Sequence, residues 1–251
     1  MEESENKIEA IIVAFNYLDY LSITIPENLK TFDRIVIVTK ENDPLIDFCK
    51  NLNTDKIFII ATDIMNYEGA KFNKGLCISL AIQNLKYKSW IVITDGDIVY
   101  PSEWKEKFLN IPPDIEKIYG SRRTNFDTYQ DWLDFESGKR QLSSYLTYRG
   151  FIYGYNQVFN YNSSTFQRLL KERNGWGYEN NFREARDLDW VFVRNWNNGQ
   201  VIYNPPLGEN CHEVKEFNDT GVGLTGEIPC FVYHLGEPGL NHETRVTEKF
   251  Q

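Results

Sequence analysis

Four consecutive residues, Trp90-Ile91-Val92-Ile93, carry neither a polar side chain nor an alternation, so a strand built from them must be covered on both faces. A sheet with helices on either side provides that cover, and the chain supplies the rest of the pattern. Ile8 to Ala14 reads as a first strand, apolar apart from Glu9. About Tyr20 to Thr31 reads as a helix that Pro26 shortens or kinks. Ile35 to Val38 follows as a second strand, Leu45 to Leu52 as a short helix and Lys56 to Ala61 as a third strand. Strand, helix, strand, helix, strand is the order of a parallel α/β sheet.

At the carboxyl end of the Trp90 strand stand Asp95-Gly96-Asp97. In open α/β sheets, ligands bind in the crevice beyond the carboxyl ends of the strands. Gly96 lets backbone approach a ligand, and two carboxylates held together repel unless a cation lies between them. Hard oxygen ligands suit Mg²⁺ or Mn²⁺, which commonly complete their shell with substrate phosphate. An acidic turn after a strand is the plainer account of the same residues. Just before this strand, Leu76 to Leu85 is apolar nearly all round and reads as a helix on the sheet, with Asn73 as its N-cap and Lys74 and Gly75 in its first turn. A lysine beside the free N–H groups of a helix start suits a phosphate or carboxylate, while a capped and solvated helix start is the plainer alternative.

Charge sharpens the choice of partner. A formal net charge of −9 removes the basic footprint needed for broad binding to nucleic acid or anionic membrane. An anionic substrate would then need a metal ion or local cations. No apolar stretch approaches a membrane span or a signal core, and the chain reads as cytoplasmic. Its 251 residues, 41% of them apolar, are enough for a real core in one domain of two lobes, about 8–110 and 111–245. The four cysteines form no close pair and read as reduced thiols. Cys211, His212, Cys230, His234 and His242 can be drawn as a zinc cluster, but their spacing matches no compact zinc pattern.

In the second half, Ser102 to Leu109 reads as a helix and Ile115 to Gly120 as a strand leading to Ser121-Arg122-Arg123. Thr128 to Ser137 reads as an acidic, aromatic helix able to overlie the crevice. Gly150 to Asn160 reads as a strand, and Ser163 or Ser164 as the cap of a helix reaching Glu172. The loop Asn174 to Asn181 joins glycines to Trp176 and Tyr178, a composition that suits either stacking on a sugar or an ordinary surface loop with its Trp anchored in the core. Arg186 to Trp196 reads as a helix with Asp187 and Asp189 in its first turn, and Ile228 to Tyr233 as a strand presenting His234.

In this order, Ala14-Phe15-Asn16, Phe72-Asn73-Lys74-Gly75, Asp95-Gly96-Asp97, Gly154-Tyr155-Asn156-Gln157-Val158-Phe159, Asp187-Leu188-Asp189-Trp190 and His234-Leu235-Gly236 resemble the GT-A-fold glycosyltransferases, family 2-like members above all, over roughly residues 8 to 245. The resemblance implies an α/β fold of GT-A, Rossmann-like type: a mostly parallel central sheet flanked by helices, with a mixed acceptor-side lobe. It implies transfer of a sugar from a nucleotide sugar, most readily a UDP-sugar, to a glycan-type hydroxyl acceptor. Carried over by position, Asp95 and Asp97 are metal and ribose contacts for Mn²⁺ or Mg²⁺, with Asp97 the more direct metal ligand and His234 a third ligand or phosphate contact. Asn16 and Asp43 fall at the nucleoside pocket and Lys74 near the ribose or phosphates. Asp187 or Asp189 is the base that takes the acceptor proton, Asp187 preferred and Glu179 a rival. The second strand ends in Thr39-Lys40-Glu41-Asn42-Asp43 rather than the Asp-Asp-Gly-Ser loop frequent in family 2. A sugar-phosphate nucleotidyltransferase is the alternative enzyme, without the glycine-rich loop that such enzymes carry after the first strand. A glycan-binding or scaffold protein is the alternative that does not turn over. Oligomeric state is not legible in the sequence.

Overall fold

The computed structural model describes residues 6–144, 147–148, 156–178, 188–196 and 225–236. Its elements run β1 (Ile8–Val13), α1 (Leu18–Asn28), β2 (Arg34–Thr39), α2 (Leu45–Asn51), β3 (Ile57–Ala61), a 3₁₀ stretch Ile64–Gly69, α3 (Lys74–Gln83), β4 (Trp90–Thr94) and β5 (Ile98–Val99). Then follow α4 (Trp104–Leu109), β6 (Ile118–Phe126), α5 (Tyr129–Glu136), a 3₁₀ turn Leu142–Ser144, β7 (Thr147–Tyr148), β8 (Asn156–Asn160), α6 (Ser164–Glu172), α7 (Leu188–Trp196) and β9 (Thr225–Leu235). The strands form one sheet in the order β3-β2-β1-β4-β8-β6-β9-β5, with β7 beside β6. β3, β2, β1 and β4 are mutually parallel, and β8 runs against them, so the sheet turns mixed where the second half of the chain joins it.

Alternate residues of each strand feed two cores. Ile8, Ala10 and Ile12 of β1, Ile35 and Ile37 of β2 and Trp90 and Val92 of β4 pack with α1, α2, α4 and α5. Ile11, Val13, Val36, Val38, Ile91 and Ile93 point the other way and pack with α3, α6 and α7. Every residue of β4 is buried, as its unbroken apolar run requires. Glu9 is only 1% exposed, and its position inside β1 follows from its partners. Its carboxylate accepts from the Arg34 guanidinium at 3.0 Å and from the backbone amides of Lys86, Tyr87 and Lys88, tying the amino ends of β1, β2 and β4 together.

Several boundaries differ from the sequence reading for local reasons. Helix α1 continues through Pro26 and stops at Asn28, two residues later. Strand β6 begins at Ile118, because Asp114 closes a turn with the Lys117 amide, and it runs on to Phe126 because β9 pairs along it. Residues 150–155 of the expected strand and the first residues of the expected Arg186 helix lie outside the described residues. Helix α5 packs against β6 and β9. Its capping box, Thr128 with Asp131, starts a helix whose Trp132 and Phe135 pack on Phe126 and Tyr233. Strand alternation sends Asn125 and His234 to the opposite face.

Candidate active site at the carboxyl edge of the sheet

The turn Asp95-Gly96-Asp97 is fastened from beneath by α1. Thr24 Oγ1 donates to the Gly96 carbonyl at 2.8 Å, Asn28 Nδ2 donates to the Ile98 carbonyl at 2.8 Å, and Asn28 Oδ1 accepts from the Tyr100 amide. Both side chains are fully buried, which explains polar residues on the inner face of a core helix. A Cβ on Gly96 would come within 3.2 Å of Leu21 Cδ2 and 3.3 Å of Tyr17 Cδ1. A side chain between the acids would therefore press on Leu21 and Tyr17 and require them to give by a few tenths of an ångström.

Beyond that turn, three groups of side chains meet. Asn73 caps α3 through the Leu76 amide and starts the helix so that Lys74 Nζ reaches Asp95 Oδ1 at 2.7 Å. Strand β5 pairs antiparallel with β9, Ile98 opposite His234, and the Leu235 amide donates to the Asp97 carbonyl. That pairing sets His234 Nε2 3.7 Å from Asp97 Oδ2, both side chains being buried. From α7, Asp189 enters next to Tyr178, whose hydroxyl lies 3.1 Å from Asp189 Oδ1 and 2.6 Å from Gln157 Oε1. Asp187 and Glu179 lie outside the described residues, as do Cys211, His212 and His242 of the zinc alternative.

The electrostatics follow from burial. Burial opposes a charge on Lys74, but the carboxylates of Asp189, Asp95 and Asp97 overcome this and hold its ammonium above the ordinary lysine range. Three carboxylates around one ammonium leave a formal excess of two negative charges when all are ionised. Burial pushes the Asp189 carboxyl above the usual carboxylate range; Lys74 pulls it down and Asp95 adds to the rise. Cys49 and Cys77 are buried thiols pushed up by burial to about 11 and about 12, which disfavours the thiolate.

Among the described residues, no group of three or more His, Cys, Asp or Glu is gathered closely enough to hold a metal. The closest approach to one is the pair Asp97 and His234, an oxygen and a nitrogen donor, with Asp95 engaged by Lys74. Two protein donors in a pocket of excess negative charge fit a divalent cation that draws its remaining ligands from phosphate and water.

The two residues assigned to a nucleoside pocket lie at the ends of β1 and β2. Asn16 is exposed, in a left-handed conformation with φ of 56°, and its amide donates to Asp43 Oδ2 at 2.8 Å. Asp43 Oδ1 accepts from the Leu45 amide, so this buried carboxylate anchors both the loop after β1 and the start of α2. Beside them, half-buried Phe15 carries Lys40 Nζ 4.2 Å above its ring and Phe72 at 5.4 Å. Sequence reasoning offered the loop that carries Tyr178 a sugar-stacking role, and gave neither Tyr178 nor Gln157 a part beside Asp189. Both stood in stretches already singled out, but no spacing rule links either to Asp189. In the loop before α7, it is Tyr178 that is anchored, stacked on Phe192 at 4.3 Å, whereas Trp176 is half-buried.

No family model matches the sequence, and no curated protein matches it. Solved structures do match the fold. TarS 1–349 of S. aureus, in complex with UDP-GlcNAc, aligns with a TM-score of 0.58 at 8% identity, over 96% of this chain and 61% of that one. GalNAc-T7 with UDP, GalNAc and Mn²⁺ aligns with a TM-score of 0.52 at 13% identity, over 96% of this chain and 46% of that one. The chain thus spans less than two thirds of the length of either neighbour. At such identities the likeness is one of fold, and that fold is GT-A.

Proposed function

We propose that this GT-A chain is a glycosyltransferase that moves a sugar from a nucleoside-diphosphate sugar to a hydroxyl acceptor, in one domain of donor and acceptor lobes. The observation that carries the reading is the meeting of Lys74, Asp95, Asp97, His234 and Asp189 beyond the carboxyl ends of the strands. The crystal neighbours hold UDP-GlcNAc in one case and UDP with Mn²⁺ in the other, which supports a UDP-sugar as donor. Asp97 and His234 would hold a Mn²⁺ or Mg²⁺ ion, which when bound stabilises negative charge on the departing diphosphate. Lys74 keeps Asp95 in place and adds a fixed positive charge at the mouth of α3. Asp189 takes the acceptor proton, and its carboxyl, raised by burial, suits a base. Phe15 and exposed Asn16, held by Asp43, form the nucleoside side of the crevice. The acceptor is a glycan-type hydroxyl.

The test is a thermal-shift screen against nucleoside diphosphates and nucleotide sugars, each with and without Mn²⁺, followed by product analysis with the donor that binds. A rise in melting temperature that needs both nucleotide and metal is expected, because a ligand of the folded state alone stabilises it. Binding without release of nucleotide would favour a glycan-binding or scaffold role, and pyrophosphate formation from a sugar phosphate and nucleoside triphosphate a nucleotidyltransferase.

Asp97→Ala removes one of the two donors, leaving His234 alone, but keeps the Asp97 carbonyl that receives the Leu235 amide, so the turn survives. Calorimetry with UDP and Mn²⁺ is expected to show affinity weaker by at least about 10- to 100-fold, the loss that removing even a residue that only orients a metal ligand brings. Unchanged affinity would refute the metal assignment.

A further inference from the structure

We infer that Tyr178, locked by Gln157, positions the Asp189 carboxylate for proton abstraction. This rests on the glycosyl-transfer reading with Asp189 as base. The direction of the amide follows from its partners. Gln157 Nε2 donates to the Asp189 backbone carbonyl at 3.2 Å, which turns Gln157 Oε1 toward Tyr178, and the phenol approaches it at 2.6 Å. The same hydroxyl lies 3.1 Å from Asp189 Oδ1, so one phenolic hydrogen serves two acceptors. Gln157 thereby grips the first turn of α7 with one end and the tyrosine with the other.

Tyr178 owes its own place to neither acceptor. Its amide donates to Ser79 Oγ at 3.1 Å, its carbonyl accepts from the Ser79 hydroxyl at 3.2 Å, and its ring stacks on Phe192 with planes 19° apart. Helix α3 and helix α7 therefore fix the backbone and ring before any ligand arrives, and Gln157 of β8 then orients the hydroxyl. Tyr178 and Gln157 are fully buried, whereas Asp189 is only partly so. The clamp thus closes on one carboxylate oxygen of the one member that reaches solvent, and leaves the other oxygen for an acceptor hydroxyl. Burial and the neighbouring Asp189 hold the phenol well above its ordinary pKa, so it remains a donor throughout the working range. Reactions of this kind can lose about 100-fold in rate when a reacting group is displaced by about an ångström.

The experiment compares wild type, Tyr178→Phe, Asp189→Asn and the double variant, reading nucleotide release from the nucleotide sugar that the screen above identifies, with Mn²⁺. Phenylalanine keeps the stack on Phe192, so melting temperature should stay within a few degrees. Tyr178→Phe is expected to lower kcat about 10- to 100-fold, the worth of a hydrogen bond to a charged group, with donor KM within about twofold. Added to Asp189→Asn it should cost nothing further. Full kcat in Tyr178→Phe, a loss confined to KM, or additive losses would each overturn the clamp while leaving glycosyl transfer standing. Should Tyr178→Phe fail to fold, Gln157→Met tests the same clamp, with the same fall in kcat at constant KM expected. Full kcat in Asp189→Asn, or wild type that releases nucleotide from no sugar donor, overturns the underlying reading instead.

Discussion

Asp189→Asn is expected to lower kcat about 10³-fold, within the range that a positioned general base contributes, and to leave donor binding intact. Asparagine has the same shape and can still accept from Tyr178, so the clamp and the start of α7 persist. What it loses is the capacity to take a proton. Lys74 loses one neighbouring carboxylate but keeps its 2.7 Å contact with Asp95, and Asp97 and His234 are untouched. Steady-state kinetics should therefore show a collapse of kcat with nearly constant KM for the nucleotide sugar, while calorimetry shows unchanged nucleotide affinity. Retention of the full rate would move the base to Asp187 or Glu179, the carboxylates that flank the described part of this loop and helix.

The second large effect is on stability and arises at the opposite end of the sheet. Glu9→Ala leaves Arg34, whose side chain is 11% exposed, without its carboxylate and strips an acceptor from the amides of Lys86, Tyr87 and Lys88. Breaking a buried pair from one side costs about 3–5 kcal/mol, because the remaining charge stays desolvated. For a chain of this size that corresponds to a fall in melting temperature on the order of 10 °C. Glu9→Leu combined with Arg34→Leu should recover part of the loss, since it removes both charges, though the three amides still lack their acceptor. A melting temperature within about 2 °C of wild type in Glu9→Ala would show that this knot contributes little. Because Glu9 pairs at the amino ends of the strands, kcat measured well below the transition should not change.

The two ends of the sheet differ in how much of them could be read from residues alone. The strands β1, β2 and β4 were legible because their apolar runs are local and must be buried on both faces, the half-exposed edge strand β3 was legible from its apolar run alone, and the start of α3 was legible because Asn73 is a cap whose partner lies three residues away. The positions of Lys74 at the start of α3 and of the paired acids after β4 were legible for the same reason, but the 2.7 Å contact between Lys74 and Asp95 was not. Glu9 was visible as an exception, but its four donors come from β2 and the approach to β4, so its purpose was not. Thr24 and Asn28 look like solvent positions on a helix; only the docking of α1 under Gly96 makes them buried props of the site.

The chain's own sequence thus determined the order of elements, the parallel half of the sheet and the acids at its carboxyl edge, because periodicity and capping act over a few residues. The tertiary structure decided which distant side chains share that edge. The β5–β9 pairing set His234 against Asp97, and the packing of α7 on α3 and β8 delivered Asp189 to Lys74 and Tyr178 to Asp189. Those contacts depend on strand register and on the direction of buried side chains, and neither is written in any local spacing.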